Sequence, residues 1–191
     1  METLALDSIP PEQWRNGGGI TRTIAREGDE WRVSIAEVQK DGPYSRFEGL
    51  SRVSFVLRGA GVVLRDAEQA IDLRPREAAA YDGGKPWEAT LMNGPVSALN
   101  VMSKPGRYEV NVTAVTRSMR IEPGRVAVVL TSAIGCLLQV HPDETHELNP
   151  GNAAIFRKLE AALQLTSQRN NTSNADESDL PVVVTLEPLQ K

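Results

Sequence analysis

Apolar and polar residues alternate with a period of two along much of this chain. In segment 31–38 the apolar side chains stand at positions 31, 33 and 35, and segment 52–58 alternates in the same way. This period indicates half-buried β-strands. Similar runs follow at 61–64, 96–102, 109–116, 126–131, 137–140 and 182–186. Many short strands separated by Gly and Pro favour an antiparallel sandwich or barrel. Helical patterns are confined to a short turn near 10–14 and to segment 156–165.

The chain contains an internal repeat. Residues 52–57, Arg-Val-Ser-Phe-Val-Leu, recur as residues 125–130, Arg-Val-Ala-Val-Val-Leu. Residues 72–81 recur as residues 147–156, with a Leu-x-Pro, an Ala-Ala pair and a final aromatic residue in common. Two matches in the same order predict two copies of one β unit. We expect the first unit to span residues 1–104 and the second residues 105–191. Within the second, the polar composition of residues 167–179 predicts a mobile loop.

Each copy resembles a cupin barrel. The resemblance lies in the order of a strand, a Gly-containing turn such as 57–61, a second strand, and then the Leu-x-Pro of 73–75. The fold class predicted is therefore all-β, a bicupin of two packed antiparallel barrel or jelly-roll units that arose by internal duplication.

The cupin resemblance bears directly on metal binding. Metal-dependent cupins hold a cation with two His and a Glu in the first motif and a third His in the second. Aligned on the turn, the first-motif positions fall near Ser45, Phe47 and Arg52, and the second-motif positions fall on an alanine and an isoleucine. None of these is a metal ligand. Both histidines, His141 and His146, lie in a predicted loop of the second copy. The sequence predicts no metal ion and no other cofactor.

Composition narrows the remaining possibilities. The 191 residues are 40% apolar and 24% charged, which is typical of a globular protein. With a net charge of −4 and no Lys/Arg cluster, we expect no nucleic-acid partner. No apolar run approaches the roughly 20 residues that span a bilayer, so we expect no membrane association. A single cysteine, Cys136, excludes an internal disulfide and is best explained as a small buried side chain. The N-terminus lacks a signal-peptide pattern, which predicts a cytoplasmic protein.

Segment 14–24 contains three consecutive glycines. Ordering each of them costs about 0.5–1 kcal/mol relative to alanine. Such a cost indicates that the backbone approaches something closely or needs positive φ angles. With Trp14, Asn16, Thr21 and Arg22 around the glycines, we favour a binding site here over a plain loop.

These motifs resemble the HutD/Ves family. The family stretch Trp-x-Asn-Gly-Gly-Gly-x-Thr-Arg-Glu-Ile is found at 14–24, with Thr23 in place of Glu. Its Trp-Arg-x-Ser-x-Ala and Asp-Gly-Pro-Phe-Ser-x-Phe-x-Gly patterns are similar to residues 31–36 and 41–49. Its Asp-Leu/Phe-Asn-x-Met stretch is similar to residues 98–102, with Ala98 in place of Asp.

The resemblance implies a ligand pocket in the first barrel and a role in regulating histidine utilisation, with a small carboxylate such as formylglutamate as ligand. A face shared by Arg32, Ser34 and Arg52 is compatible with a polar cavity. Guanidinium groups suit a carboxylate, and amides and hydroxyls suit an amide or formyl group. The replacements at positions 23 and 98 each remove a carboxylate and would favour anions. Carried over one by one, the pocket candidates are Asn16, Thr21, Arg22, Ser34, Asp41, Ser45, Arg52 and Asn100.

Three functions stay open on the sequence. The first is a metal-independent metabolite-binding regulator. The second is a cofactor-free enzyme, an isomerase or hydrolase of a small polar carboxylate, with Asp41 as its base. The third is a protein-interaction module whose pocket is vestigial. The sequence also leaves a homodimer open.

Overall fold

The computed structural model describes residues 1–141, 144–169 and 176–189, apart from the side chain of His141. Residues 170–175 of the predicted mobile loop therefore lie outside the described residues. Within these ranges the chain forms β-strands and two short 3-10 helices, Leu6–Ser8 and Glu177–Asp179. None of the helices in these ranges is long and apolar enough to cross a bilayer.

The strands divide between two compact units. The N-terminal unit comprises residues 9–108, and the C-terminal unit comprises residues 1–8 together with the chain from residue 109 onward. Strands of the N-terminal unit are β2 (Glu12–Gln13), β3 (Gly19–Glu27), β4 (Trp31–Val38), β5 (Gly42–Pro43), β6 (Ser51–Arg58), β7 (Val62–Arg65), β8 (Ala70–Leu73), β9 (Ala78–Asp82), β10 (Glu88–Leu91) and β11 (Val96–Ser103). The C-terminal unit contains β1 (Glu2–Ala5), β12 (Tyr108–Ala114), β13 (Ser118–Ile121), β14 (Val126–Leu130), β15 (Cys136–His141), β16 (Glu144–Leu148), β17 (Asn152–Phe156), β18 (Leu163–Ser167) and β19 (Val182–Pro188).

Both units contain the same arrangement of antiparallel strands. The N-terminal unit has a six-stranded sheet, β2-β3-β4-β11-β6-β9, and a four-stranded sheet, β5-β10-β7-β8. The C-terminal unit has a five-stranded sheet, β1-β17-β14-β19-β12, and a four-stranded sheet, β13-β18-β15-β16. The order β4-β11-β6-β9 thus corresponds to β12-β19-β14-β17, and the four-stranded sheets correspond strand for strand. The prediction of an all-β fold built by internal duplication is confirmed.

The first strand belongs to the C-terminal unit. β1 pairs with β17 from Glu2 opposite Ile155 to Ala5 opposite Asn152. The backbone N–H of Leu6 continues this pairing with a 2.9 Å hydrogen bond to the carbonyl of Gly151. The sequence repeat instead groups residues 1–104 together.

Neither predicted helix forms. Segment 10–14 contains the two-residue strand β2, which pairs with β3. Segment 156–165 contains the end of β17, a turn, and the beginning of β18. Leu159 in that turn is buried, and its N–H donates to the carbonyl of Arg125 at 2.8 Å. The leucines of this segment are buried, one in the turn and two at alternate positions of β18. Their spacing resembles that of a short helix, which explains why the sequence predicted one.

Each unit has an apolar core. In the N-terminal unit it consists of Val38, Tyr44, Val56, Val62, Leu64, Leu73, Tyr81, Trp87, Ala89, Val96 and Ala98. In the C-terminal unit it consists of Val115, Ile121, Ala127, Val129, Cys136, Leu138, Leu148, Ala154, Phe156, Leu159, Leu163, Leu165 and Val183. Because side chains alternate along a strand, the residues two positions from Val56 and Ala98 face the same side as these core residues. In the N-terminal unit those residues are Ser54 and Asn100, so polar groups continue the apolar core.

Candidate functional site

Two rows of side chains cross the central strands of the N-terminal unit. Ser34, Asn100 and Ser54 lie opposite one another on β4, β11 and β6. In the next row outward, Met102 lies between Arg32 and Arg52. Residues directly paired across antiparallel strands point to the same face. The pairing therefore confirms that Arg32, Ser34 and Arg52 share a face.

Asn100 lies at the centre of a buried hydrogen-bond network. Its Oδ1 accepts from Arg52 Nε at 3.0 Å, from Arg52 Nη2 at 2.9 Å and from Ser54 Oγ at 2.6 Å. Arginine can only donate, which determines the orientation of the amide. The single hydroxyl proton of Ser54 is used on Asn100, so the hydroxyl of Tyr81 must be the donor in its 2.8 Å contact with Ser54. Arg52 is 4% exposed and Asn100 1% exposed.

Aromatic rings surround the guanidinium of Arg52. Its Cζ lies 4.4 Å from the ring centroid of Tyr44, 5.5 Å from that of Tyr81 and 5.8 Å from that of Phe47. Burial raises the pKa of both tyrosines, so their hydroxyls stay neutral. Among the ion pairs of the described residues, none joins Arg52 to a carboxylate. The positive charge of Arg52 is therefore buried without an acidic partner in the described part of the chain.

The duplicated unit holds the equivalent arginine differently. Arg125 occupies the position of Arg52 in the repeat, and its Nε and Nη2 donate to Glu187 at 2.9 and 2.5 Å. Glu187 follows Leu186, which pairs with Val126, so it corresponds to Met102 on β11. The C-terminal copy thus neutralises its arginine with a carboxylate, whereas the N-terminal copy places a thioether there.

The network of Asn100 opens to a small cavity, here called the deep pocket. It has a volume of about 20 Å³, enough for a water-sized group, and Ser34, Arg52 and Asn100 line its inner part. An open groove of about 680 Å³ adjoins it. The residues that line both are Trp14, Thr21, Arg32, Ser45 and Phe47.

Arg32 supplies a second cation to the deep pocket. Its Cζ lies 5.0 Å from the ring centroid of Phe47, and its Nη2 contacts Met102 Sδ at 3.4 Å. Its Nε is buried and has no hydrogen-bond partner among the described residues. Burial is the main cause that lowers the pKa of Arg32. The nearby carboxylate of Glu12 opposes this shift, and the charges of Arg52 and Arg26 add to it. Arginine remains charged at any physiological pH, so the pocket contains two guanidinium groups.

The structure brings six of the eight predicted site residues to the deep pocket or the groove: Asn16, Thr21, Ser34, Ser45, Arg52 and Asn100. Arg22 pairs with Ile35, which places it on the opposite face of the sheet from Thr21. Asp41 is exposed, and its Oδ1 accepts from the N–H of Leu91 at 2.8 Å. Neither residue lines the deep pocket or the groove.

Backbone geometry accounts for the glycine-rich segment. Gly17 has a φ of +65°, and a Cβ on Gly19 would overlap the carbonyl oxygen of Glu37. Asn16 accepts from the N–H of Gly18 at 2.9 Å and donates to the carbonyl of Pro43 at 2.9 Å. The segment therefore needs glycine to pack closely against β4.

This close packing places Trp14 at the groove. Its Nε1 donates to Thr21 Oγ1 at 2.8 Å, and its ring meets that of Tyr44 edge to face at 5.7 Å. Of the two residues that replace the acidic residues of the family pattern, Thr23 lies opposite Ser34, and Ala98 belongs to the apolar core.

Several site residues were not among the sequence candidates: Arg32, Tyr44, Phe47, Ser54, Tyr81 and Met102. Strand alternation carries a signal for Ser54, which stands two positions from Arg52. The internal repeat could have indicated Tyr81, because the corresponding residue of the second copy is Phe156, which lacks the hydroxyl group.

The deep pocket is unsuited to a metal ion. It offers two guanidinium groups, an amide and hydroxyls, and guanidinium groups repel a cation. Within residues 1–141, 144–169 and 176–189, no three His, Cys, Asp or Glu side chains are grouped to hold a metal. His146 lies in the C-terminal unit, where its Nε2 contacts Glu144 at 2.9 Å. The side chain of His141 lies outside the described residues, and the expected absence of a cofactor stays a prediction.

Comparison with known families gives a match to the family model described as HutD, over residues 7–173. A 21.2 kDa protein encoded in the hutC 3′ region of Pseudomonas putida is 30% identical over 140 residues, which cover 70% of this chain and 74% of that protein. Protein Ves of Citrobacter koseri is 32% identical over 136 residues, 68% of this chain and 71% of that protein.

Solved structures give the same picture of the fold. HutD from Pseudomonas fluorescens SBW25, determined in a formate condition, superimposes with a TM-score of 0.78 at 23% identity over 99% of both chains. A conserved protein of unknown function from Pseudomonas aeruginosa PAO1 gives 0.79 at 26% identity, also over 99% of both. Oxalate decarboxylase of Lactobacillus farciminis gives 0.62 at 8% identity over 98% of this chain and 86% of that one, a likeness of fold alone. These likenesses confirm the predicted bicupin fold.

Proposed function

The chain belongs to the HutD family, and on that premise we propose that it binds a small carboxylate in the deep pocket and regulates histidine utilisation. One observation carries the binding proposal. The buried guanidinium of Arg52 lacks an acidic partner in the described part of the chain, whereas its counterpart Arg125 has Glu187. A buried unpaired charge is costly, so an external anion is the natural partner.

The geometry supports binding of one carboxylate with the rest of the ligand in the groove. The deep pocket admits one small group between the guanidinium groups of Arg52 and Arg32. Carboxylates accept paired N–H donors from arginine. Ser34 and Ser45 supply hydroxyls nearby, and Asn16 lies on the wall of the groove. These groups suit a ligand that carries a further polar function, such as an amide or a formyl group.

The site favours binding over turnover. Asp41, the base of the alternative enzyme hypothesis, does not line the deep pocket or the groove, and its Oδ1 is engaged by the amide of Leu91. A general base must come within hydrogen-bond reach of the proton that it removes. The position of Asp41 does not meet this requirement for a ligand bound to Arg52.

The relatives support the metabolic assignment. One is encoded beside hutC, and a structure of HutD was determined in a formate condition. Formate is the smallest carboxylate, and the small deep pocket would take only one terminal group of a larger ligand, the rest lying in the groove. We therefore propose formylglutamate or a related carboxylate as the ligand.

The binding proposal is tested by calorimetry with formylglutamate, formiminoglutamate, urocanate and glutamate at millimolar concentration. The decisive variant is Asn100→Asp, which is nearly isosteric and places a carboxylate against Arg52. Because the internal ion pair removes the attraction for an external anion, affinity should fall by at least about tenfold. Asp41→Asn serves as the control and should bind like the wild type. Absence of heat from all four compounds, or equal affinity of the Asn100→Asp protein, would contradict the proposal.

Fluorescence gives a second readout of binding. Trp14 lines the groove, whereas Trp31 and Trp87 are each 2% exposed. A ligand in the groove should therefore change the emission of Trp14, and Trp14→Phe should remove that change.

The regulatory part of the proposal requires cells. A strain that produces the Asn100→Asp protein at the wild-type level should grow on histidine as a deletion strain does. If the variant strain grows like the wild type although its protein no longer binds ligand in vitro, ligand binding in the deep pocket does not regulate histidine utilisation.

A further inference from the structure

The groove beside the deep pocket carries charged side chains of its own. Three charged residues line the groove without lining the deep pocket: Glu12, Arg15 and Arg46. The carboxylate of Glu12 favours the charged form of Arg32. Arg46 Nη2 lies 3.6 Å from Glu48 Oε1. The charges of Arg32 and Arg46 are therefore opposed by carboxylates of the protein.

Arg15 differs from these residues. It is exposed at the groove, and among the described residues its side chain has neither a hydrogen bond nor an ion pair. An unpaired arginine on a surface is common and does not by itself indicate a site. Arg15 is of interest because the same groove adjoins the guanidinium of Arg52, which is buried without an acidic partner in the described part of the chain.

Hydrogen bonds fix the backbone that carries Arg15. The N–H of Gly17 donates to the carbonyl of Trp14 at 3.0 Å, which closes a four-residue turn with Arg15 at its second position. The side-chain amide of Asn16, the third residue of the turn, donates to the carbonyl of Pro43 at 2.9 Å. Only the side chain of Arg15 is then left to be ordered by a ligand, which limits the entropic cost of binding.

Two guanidinium groups are therefore left to a ligand, one in the deep pocket and one in the groove. Arg52 lines the deep pocket, and Arg15 lines the groove. A single carboxylate at Arg52 leaves the charge of Arg15 unused, whereas a ligand with two carboxylates complements both. Electrostatic complementarity of this kind contributes to specificity more than to affinity.

We propose that Arg15 determines specificity by binding the second carboxylate of a dicarboxylate ligand. This inference rests on the proposed function, in which the first carboxylate binds in the deep pocket beside Arg52. The ligand then extends through the groove, and its distal carboxylate binds the guanidinium of Arg15. The site therefore prefers a dicarboxylate over a ligand of the same size in which one carboxylate is replaced by an amide.

Formylglutamate and formylglutamine are the probes, because they differ only in one carboxylate that becomes a neutral amide. Calorimetry on the full chain should show that formylglutamate binds about three to five times more tightly at an ionic strength of about 0.01 M, as expected for an exposed ion pair. At about 1 M salt this preference should disappear, because exposed charges are screened far more than buried ones.

Arg15→Gln should weaken formylglutamate binding about three- to fivefold at low salt and leave formylglutamine binding unchanged, because only the dicarboxylate uses the removed charge. Arg15→Lys retains the charge and should keep most of the preference. Both variants should fold normally, because Arg15 is exposed and its side chain has no polar contact among the described residues. The matched control is Arg74→Gln, an exposed arginine that lines neither the deep pocket nor the groove, which should bind both probes like the wild type.

The outcomes separate this inference from the proposed function. Equal affinity of the wild type for both probes overturns the role of Arg15 and leaves carboxylate binding at Arg52 intact. An equal loss for both probes in Arg15→Gln, or the same loss in Arg74→Gln, also overturns it, since the effect then does not depend on a second carboxylate at Arg15. Binding of neither probe to the wild type overturns both proposals.

Discussion

At the scale of single residues, one replacement between the two copies decides whether an arginine is neutralised by the protein. Arg125 has Glu187 beside it, and Arg52 has Met102 in the corresponding position. The same strand pairing therefore produces a surface ion pair in one unit and, among the described residues, a buried cation without an acidic partner in the other. The amide of Asn100 holds the cation in place without neutralising it.

This difference predicts the effect of Arg52→Met on binding and on stability. Loss of a buried charged contact should weaken carboxylate binding by roughly 2–5 kcal/mol. The free energy of unfolding without ligand should fall by much less, because a desolvated charge is removed along with its contacts. Calorimetry and urea unfolding on the same protein give both quantities. An unchanged affinity would exclude Arg52 from the site.

Residue placement could be predicted only in part. The positions of Arg52, Ser34 and Asn100 at the pocket could be predicted, because strand alternation and the family resemblance both indicated them. Arg22 does not, because consecutive residues of a strand face opposite sides and Thr21 already faces the groove.

At the scale of elements, the glycine-rich segment before β3 is a packing device that positions Trp14. The sequence indicated either close approach or a positive φ, and the structure has both, at Gly19 and Gly17. The close contact of Gly19 is with the Glu37 carbonyl of β4, so the need for glycine there arises from packing within the unit and not from a ligand.

Gly19→Ala should therefore destabilise the protein by about 3 kcal/mol, the upper part of the range for overpacking, because its Cβ would overlap the Glu37 carbonyl. Gly28→Ala is the control: its φ is +48°, with nothing within 4 Å of the added carbon. It should cost only about 1 kcal/mol, for the left-handed conformation. Urea unfolding measures both, and a smaller loss for Gly19→Ala than for Gly28→Ala would contradict this account.

At the scale of the whole molecule, the two copies of the fold differ in what their interiors contain. In the C-terminal core, Ala127 and Phe156 occupy the positions of Ser54 and Tyr81. The N-terminal interior continues into the polar network. The buried arginine and the deep pocket thus occur in the N-terminal copy, whereas the positions of Ser54 and Tyr81 are apolar in the C-terminal copy.

Burial of Cys136 in the C-terminal core predicts how stability depends on pH. Burial raises the pKa of its thiol to about 11, above the value of about 8.5 for an exposed thiol. The unfolded chain loses the thiol proton first, so stability is retained below about pH 8.5 and falls as the pH rises toward 11. Urea unfolding followed by circular dichroism at pH 7, 9 and 10.5 measures this fall.

Cys136→Ala should reduce the slope of stability with pH above pH 9, and the native thiol should resist alkylation at pH 8 until denaturant is added. A slope identical in the two proteins would show that other groups dominate the alkaline loss.

The sequence by itself determined the all-β class, the duplication and the family, because strand alternation, repeats and long motifs are local properties of the chain. It also indicated an arginine pocket with no metal ligands. Tertiary structure decided that β1 joins the C-terminal unit, that segment 156–165 forms a turn and a strand, and that Arg52 faces Met102 while Arg125 faces Glu187. Each of these depends on pairing between residues far apart in the chain, and such pairing leaves no periodic signal in the sequence.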